Sequence, residues 1–288
     1  MNKWLLFFKK IHIHPLFWLV MGISMMTARF TEVIVLFTIV FLHELGHGLT
    51  AHFFSWRIKK ISLLPFGGVA EMDEHGNRPL KEELFVVLAG PLQHVWIQAV
   101  LWGLYDNMLI HPDDYKLWAS FNATILLINL LPAWPLDGGK LLFVGLSYFC
   151  TFRNAHLYTL YVTAVICTLS LITILLWNPY HLNSWVIWLF LLFSLWKEWK
   201  QRQYVFIRFL LERYYGKKKI EYRNVHSIQV NPEVPIQDVL DLFHRGRKHN
   251  IRVNGSDQST TLDENELLHA FFADKLYKGK VGDLLYMY

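Results

Sequence analysis

The chain has 288 residues, 53% of them hydrophobic and 16% aromatic, and it carries a formal net charge of +5. This composition, with its long apolar runs, excludes an ordinary soluble domain and indicates an integral membrane protein. The two cysteines give no disulfide framework and no cysteine metal site. Most of the charge follows residue 195, which predicts a membrane domain and then a small soluble one.

The first predicted membrane span covers residues 11–28, behind a short basic tail. It lacks a small-x-small cleavage site, so we expect a retained anchor and no cleaved signal peptide. His12 and His14 lie at its start. For these two histidines, a position at the membrane interface is favoured over a role in a metal site.

The second predicted span, residues 33–54, carries an H-E-x-x-H motif from His43 to His47. On an α-helix, four residues advance about 400°, which places both imidazoles on one face, one turn apart. That spacing lets both rings bind one Zn²⁺, and the Glu44 carboxylate lies beside them, where it can take a proton from water. Such polar residues are costly in an apolar helix, so a functional site is favoured over hydrogen bonds that only join helices.

Residues 58–72 are too few to cross a membrane, and a proline and two glycines interrupt their β-favouring residues. We predict a β-hairpin or re-entrant loop at the membrane surface. Two roles stay open for it: a strand edge that pairs with an extended substrate, or a plain surface loop. The third span, residues 84–105, contains the small residues Ala89 and Gly90, which allow close helix contact, and its His94 is predicted to pack through hydrogen bonds.

The fourth span runs into a segment, residues 129–140, whose two prolines and two glycines break the helix at membrane depth. Asp137 at this break is an intramembrane carboxylate that needs a partner. Two histidines and one carboxylate are a common catalytic zinc set, so we expect Asp137 to join His43 and His47; the alternative is a cap on the following helix. Asn129 is expected either to bind a substrate carbonyl or to join two helices.

Two further spans, residues 158–177 and 185–196, bring the predicted total to about six. With six spans, one side of the membrane has few basic loop residues beyond Arg29 and Lys116. The positive-inside rule then places both termini in the cytoplasm. The basic residues on that cytoplasmic side, before the tail, are Lys3, Lys9, Lys10, Arg57, Lys59, Lys60, Arg78, Lys81 and Arg153.

A basic amphipathic linker follows the last span, and it fits an anionic lipid surface better than nucleic acid. The final residues alternate short strands and helices, which predicts a small α+β module. Because such a module is marginal alone, we expect it to pair with a second copy in a homo-oligomer. The predicted domains are a membrane domain at 1–197, the linker at 198–223 and the module at 224–288, with strands at 227–230 and 251–253 and helices at 235–245 and 264–272.

The motif from His43 to His47, followed in a later span by Pro135 to Gly138, resembles the site-2 protease family of intramembrane zinc metalloproteases over residues 30–150. The layout of the whole chain, with residues 64–68 and 211–216, is similar to the sporulation branch of that family. In the tail, residues 225–253 and 281–284 resemble a cystathionine-β-synthase (CBS) domain.

The resemblance implies a fold and a set of residue roles. The fold is an α-helical polytopic membrane protein with about six transmembrane helices, a site-2 protease core and a small C-terminal α+β CBS-like cytoplasmic domain. The implied zinc ligands are His43, His47 and Asp137, with Glu44 as general base and with Asn129 and Pro135 beside the substrate.

The sporulation branch implies a protease that cleaves the membrane-associated pro-sequence of a sporulation sigma factor, pro-sigma-K. It also implies membrane inhibitory partner proteins and a location in the mother-cell membrane around the forespore. The implied cofactors are one Zn²⁺ per chain and, at the CBS-like domain, ATP.

Two other functions fit parts of the pattern. A membrane transporter would use the histidines and Asp137 as a proton or metal path, but it predicts polar residues along several spans and an internal repeat, and no repeat is evident. A non-catalytic scaffold stabilised by zinc would not need Glu44. The sequence therefore favours metal-assisted peptide hydrolysis, with Glu44 transferring the proton.

Overall fold

The computed structural model of the chain describes residues 11–13, 15–56, 58–64, 67–72, 78–177, 179–216, 225–254 and 259–285. These residues form two compact units. The first unit contains the described residues up to 72 together with 81–142, and the second contains residues 78–80 and 143–285. The units divide within a helix, at residue 142.

Helices dominate the first unit, with one small sheet. Its elements, in chain order, are β1 (Ile11–Ile13), α1 (Pro15–Met26), α2 (Phe30–Phe53), β2 (Ile58–Leu64), β3 (Gly67–Met72), α3 (Leu80–Asp106), α4 (Pro112–Leu130) and the start of α5 (Asp137–Phe149). The second unit continues with α6 (Phe152–Trp177), α7 (Leu182–Tyr215), β4 (Val225–Val230), α8 (Ile236–Leu240), β5 (Lys248–Asn254), β6 (Ser259–Asp263), α9 (Glu264–Phe272) and α10 (Val281–Leu284).

Three helices in the described part of the chain are long and apolar enough to cross a membrane, namely α2, α3 and α6. Their lengths of 24, 27 and 26 residues exceed the roughly 20 that a bilayer requires. Helix α6 also exposes many large apolar side chains, a surface that suits lipid better than water. They include Leu169, Ile172, Leu175, Leu176 and Trp177.

The first predicted span, residues 11–28, differs in the structure. It contains the strand β1 and the helix α1, whose 12 residues extend about 18 Å at 1.5 Å per residue. That length is short of the roughly 30 Å of a bilayer core. Pro15 begins the helix, because a proline ring fixes φ and provides no N–H for a preceding turn.

The predicted hairpin is present at residues 58–72. Strands β2 and β3 are antiparallel, with Ile61 opposite Ala70, and β1 adds to the other edge of β2 in parallel, so the sheet order is β1-β2-β3. The two residues of the turn lie outside the described residues. A buried apolar cluster is formed by Ala51 and Trp56, which precede the hairpin in the chain, and Val86, which follows it.

Helix α7 is much longer than the predicted sixth span and extends over 34 residues. It begins near the predicted span and continues through most of the predicted linker, to Tyr215. Two basic residues of α7 lie over tryptophan rings on the same helix: Lys200 Nζ is 5.2 Å from the Trp196 ring centre, and the Arg202 guanidinium carbon is 4.5 Å from that of Trp199. This pairing of cations with tryptophan is typical of a membrane interface.

The C-terminal residues form the predicted α+β module around a second sheet of order β4-β5-β6. Strand β5 alternates buried and exposed side chains and directs His249, Ile251 and Val253 into the core. Helix α9 matches the predicted bounds of 264–272 and begins with a capping box between Asp263 and Glu266. The predicted helix at 235–245 is shorter and ends at Leu240, and the chain beyond it turns so that Phe243 and Arg245 are buried.

This module packs on the starting turns of α6 and on the last turns of α7. The Tyr214 ring of α7 and the Phe272 ring of α9 stack with centres 5.8 Å apart, and the Phe152 N–H of α6 donates to the Phe243 carbonyl at 2.9 Å. Arg153 forms an ion pair with Asp241 at the same contact. The module is therefore joined to two helices of the membrane region by both apolar and polar contacts.

A buried ion pair holds the end of α7 to the module. Arg213 donates to both carboxylate oxygens of Glu264, at 2.6 and 2.9 Å, and to the carbonyls of His244 and Arg247 at 3.0 and 2.5 Å. Its side chain is 1% exposed. Burial opposes ionisation of Glu264, but the hydrogen bond from His249 and the charge of Arg213 outweigh it and lower the pKa of Glu264 to about 2.

Replacement of Arg213 by Met should destabilise the module by about 3–5 kcal/mol, because Glu264 is then left as a buried charge without its main partner. Hydrogen exchange of β5 and α9 in the full chain in detergent measures this loss. Lys248→Met is the matched control, since its ion pair with Asp263 is more than a third exposed on both sides and such pairs contribute about 0–1 kcal/mol. Equal protection of the two variants would contradict the structural role of Arg213.

Candidate metal centre

Helix α2 brings the two histidines of the motif together, as the spacing predicts. Their ring centres are 4.8 Å apart, and the two Nε2 atoms are 3.1 Å apart. Both side chains are buried, at 3% exposure for His43 and 5% for His47. Two imidazole nitrogens in a buried site thus face the same point.

Asp137 completes the group. It is the first residue of α5, after a segment in which Trp134 and Pro135 are joined by a cis peptide bond. Its Oδ2 lies 2.9 Å from His43 Nε2 and 3.0 Å from His47 Nε2. Within the described residues, these three side chains are the one set of histidine, cysteine and acidic residues whose ligand atoms can hold a metal ion.

The donor set fits zinc. Two imidazole nitrogens and one carboxylate oxygen are the ligands of many catalytic zinc sites, and they leave a fourth position for water or substrate. The Nδ1 atom of His47 donates to the Val86 carbonyl at 2.7 Å, which leaves the Nε2 lone pair directed at the group. His43 Nδ1 is likewise engaged, 3.0 Å from His94 Nε2.

Two glycines let α3 approach the histidines of α2 this closely. A Cβ atom on Gly90 would lie 2.2 Å from His47 Nε2 and 2.8 Å from His43 Cε1. A Cβ on Gly46 would lie 2.6 Å from the Ala89 carbonyl. The predicted close helix contact at Ala89 and Gly90 is therefore present, and it adjoins the metal centre.

Glu44 follows His43 directly on α2 and is half-buried. One residue along a helix rotates the side chain by about 100°, so Glu44 lies at the side of the face that carries the two imidazoles. The described residues provide no hydrogen-bond donor to its carboxylate. A half-buried carboxylate beside a metal group is placed to exchange protons with water there.

The two predicted substrate contacts lie on the segment that leads to Asp137. Asn129 is in the last turn of α4, and Pro135 is in the connection between α4 and α5. Both are half-buried. Their roles remain predictions, as do those of the residues at the metal centre. Of the two histidines near the amino terminus, His12 lies in β1 and His14 lies outside the described residues.

Three residues around the centre carried little or no signal in the sequence. Lys140 donates to Asp137 Oδ1 at 3.0 Å, and its position three residues after Asp137 on a helix was the available clue. Asn122 Oδ1 lies 2.7 Å from His94 Nδ1. His94 packs through hydrogen bonds as predicted. The sequence did not indicate that its Nε2 atom lies 3.0 Å from Nδ1 of His43, 51 residues earlier in the chain.

Comparison with known proteins agrees with this site. The model of peptidase family M50 matches residues 31–112. Stage IV sporulation protein FB of Bacillus subtilis (strain 168) is 46% identical over 289 residues, which cover the whole of both chains. A zinc metalloprotease of Methanocaldococcus jannaschii is 41% identical over 117 residues, or 40% of this chain and 34% of that protein.

A solved structure is also similar. The site-2 protease from Methanocaldococcus jannaschii superposes with a TM-score of 0.52 at 31% identity, over 65% of this chain and 89% of that one. Full-length identity, the family match and the group of His43, His47 and Asp137 therefore agree. The chain belongs to peptidase family M50 and is an intramembrane zinc metalloprotease of the site-2 protease type.

Proposed function

We propose that the chain cleaves the membrane-associated pro-sequence of a sporulation sigma factor, pro-sigma-K. The observation that carries the activity is the buried group of two imidazole nitrogens and one carboxylate oxygen, all within 3.1 Å of one another. The substrate is inferred from the full-length match to a sporulation protein and from the similarity of the sequence to the sporulation branch of the family.

In the proposed mechanism, His43, His47 and Asp137 would hold Zn²⁺. When bound, the metal would lower the pKa of water and polarise the scissile carbonyl. The Glu44 carboxylate accepts the proton of the attacking water and passes it to the leaving amine. Lys140 neutralises part of the Asp137 charge through Oδ1, and Oδ2 stays directed at the imidazoles.

A helical substrate must unwind before its amide can be attacked, because a helix keeps its carbonyls hydrogen-bonded. We propose that the hairpin holds the unwound segment by strand addition. Strand β1 already covers one edge of β2, so within the described residues the longer open edge belongs to β3. Asn129 and Pro135 are the proposed contacts nearer the cleaved bond.

The wider setting is also a proposal. We infer six crossings with both termini in the cytoplasm, in the mother-cell membrane around the forespore, and regulation by membrane inhibitory partner proteins. The basic part of α7 is proposed to lie on anionic lipid, supported by the Lys200–Trp196 and Arg202–Trp199 pairs. Arg213 does not contribute to that lipid surface, because it is buried against Glu264.

For the C-terminal module we propose a CBS-like domain that binds ATP and pairs with a second copy, without direct contact to nucleic acid. The support is the sequence resemblance at 225–253 and 281–284, together with the alternating strands and helices of the module. The domain division at 1–197, 198–223 and 224–288 belongs to the same proposal.

The test is zinc content and cleavage measured on one preparation. The full chain is purified in detergent and incubated with a membrane-tethered pro-sequence of the sigma factor, with and without ATP. We expect one zinc per chain, and cleavage that a chelator removes and added Zn²⁺ restores. Zinc without cleavage in either nucleotide condition would contradict the protease assignment, and cleavage that persists after the metal is removed would contradict the mechanism.

A further inference from the structure

Three buried side chains, joined by hydrogen bonds, extend away from the metal centre. His43 Nδ1 lies 3.0 Å from His94 Nε2, and His94 Nδ1 lies 2.7 Å from Asn122 Oδ1. Exposure is 3% for His43, 1% for His94 and 2% for Asn122. Each side chain comes from a different helix, namely α2, α3 and α4. Hydrogen bonds between side chains this deeply buried are costly to leave unmade.

The Asn122 amide determines which atom donates and which accepts in each of these hydrogen bonds. Its Nδ2 donates to the His94 carbonyl at 3.0 Å and to Gln98 Oε1 at 3.3 Å, so its Oδ1 faces His94 as an acceptor. His94 Nδ1 must then donate its proton to Asn122. A neutral imidazole has one N–H, so His94 Nε2 is an acceptor. His43 Nδ1 must therefore donate to it.

The consequence for His43 is a single tautomer. With its proton on Nδ1, His43 has an unprotonated Nε2, and that atom faces His47 Nε2 and Asp137 Oδ2. A zinc-binding histidine requires this arrangement. His47 obtains the same result from a backbone carbonyl, that of Val86. Of the two histidine ligands, only His43 is held by another side chain, so only its ring orientation can be changed by substitution of the acceptor.

We propose that His94 and Asn122 are positioning residues that fix the tautomer and ring orientation of His43 for zinc. The proposal rests on the zinc set of the proposed function. Substitution of such an outer partner of a zinc ligand lowers metal affinity about 10–100-fold. The two residues thereby connect α4, the helix that ends at the proposed substrate segment, to the metal centre.

The test measures zinc affinity of the full chain in detergent by competition with a chromogenic chelator. His94→Leu removes the acceptor for His43 Nδ1 and should lower the affinity about 10–100-fold. His94→Gln keeps an acceptor near the former Nε2 and an N–H for Asn122, so it should restore most of the affinity. Gln98→Leu is the control: it removes the longer of the two acceptors of Asn122 Nδ2, at 3.3 Å, but leaves the His94 carbonyl at 3.0 Å to hold the amide, so this variant should bind zinc almost as the wild type does.

The outcomes separate this inference from the function on which it rests. A wild-type chain that binds no zinc removes the proposed function, whereas wild-type affinity in His94→Leu overturns only the positioning role. If His94→Leu does not fold, Asn122→Leu gives the answer, because it keeps the His94 ring but removes the acceptor that fixes its tautomer. We expect weaker zinc binding in that variant and a changed absorption spectrum of its Co²⁺ form. An unchanged affinity and spectrum would overturn the proposal.

Discussion

Glu44→Gln should lose cleavage by about 10²–10⁴-fold and still bind zinc, since a positioned general base contributes a factor of that size. The amide has nearly the same shape as the carboxylate but cannot accept the proton of the attacking water. Glu44 is not among the three side chains whose ligand atoms converge, so the metal should remain. The measurement is bound zinc per chain together with the rate of cleavage of the tethered pro-sequence.

Glu32→Gln provides a matched control on the same helix. Glu32 lies in the first turn of α2, 12 residues before Glu44, or about 18 Å along the axis. We expect it to cleave at the wild-type rate. A Glu44→Gln chain that cleaves as fast as this control would exclude Glu44 as the base, and loss of zinc from Glu44→Gln would show that the residue holds the metal site together.

Gly90→Ala should abolish zinc binding, and with it cleavage, although it adds only one methyl group. That methyl would lie 2.2 Å from His47 Nε2, the atom that faces the metal. The ring cannot move aside at low cost, because its Nδ1 is held by the Val86 carbonyl at 2.7 Å. Either the histidine leaves its position or α3 moves away from α2, and both disrupt the convergence of the three ligand atoms.

Gly103→Ala on the same helix is the control, since a Cβ there meets nothing within 4 Å. Alanine favours helix over glycine by about 1 kcal/mol, so this variant should be as stable as the wild type or more so, with one zinc per chain. If Gly90→Ala also binds one zinc and cleaves, the close approach of the two helices is not what shapes the site.

Local sequence pattern was a reliable guide to the presence of most elements. It predicted long apolar helices within α2, α3 and α6, a hairpin or re-entrant loop where β2 and β3 pair, and the bounds of α9. It was less reliable for the residue at which an element ends and for breaks within an apolar run. Helix α7 continues far past its predicted end, because its polar second half buries one face, including Phe209 and Leu210, against the rest of its own unit.

The first predicted span shows the other limit. Residues 11–28 are apolar enough for a membrane helix, but composition does not distinguish a long helix from a strand followed by a short one. The pairing of β1 with β2, some 50 residues later in the chain, decides the outcome. Such a contact depends on which edge of a distant hairpin is open, and no local property of the sequence contains that information.

The sequence by itself determined the chemistry of this protein: an H-E-x-x-H motif in an apolar helix and an aspartate at a helix break, which indicate zinc hydrolysis because these residue types have few other uses at such depth. The tertiary structure alone decided which side chains surround the zinc ligands and which side chain holds the C-terminal module to α7. The His94–Asn122 pair, the approach of Gly90 to His47 and the burial of Arg213 each join residues at least 28 positions apart. Their geometry follows from how helices pack, and a one-dimensional pattern records spacing along the chain but not distance across it.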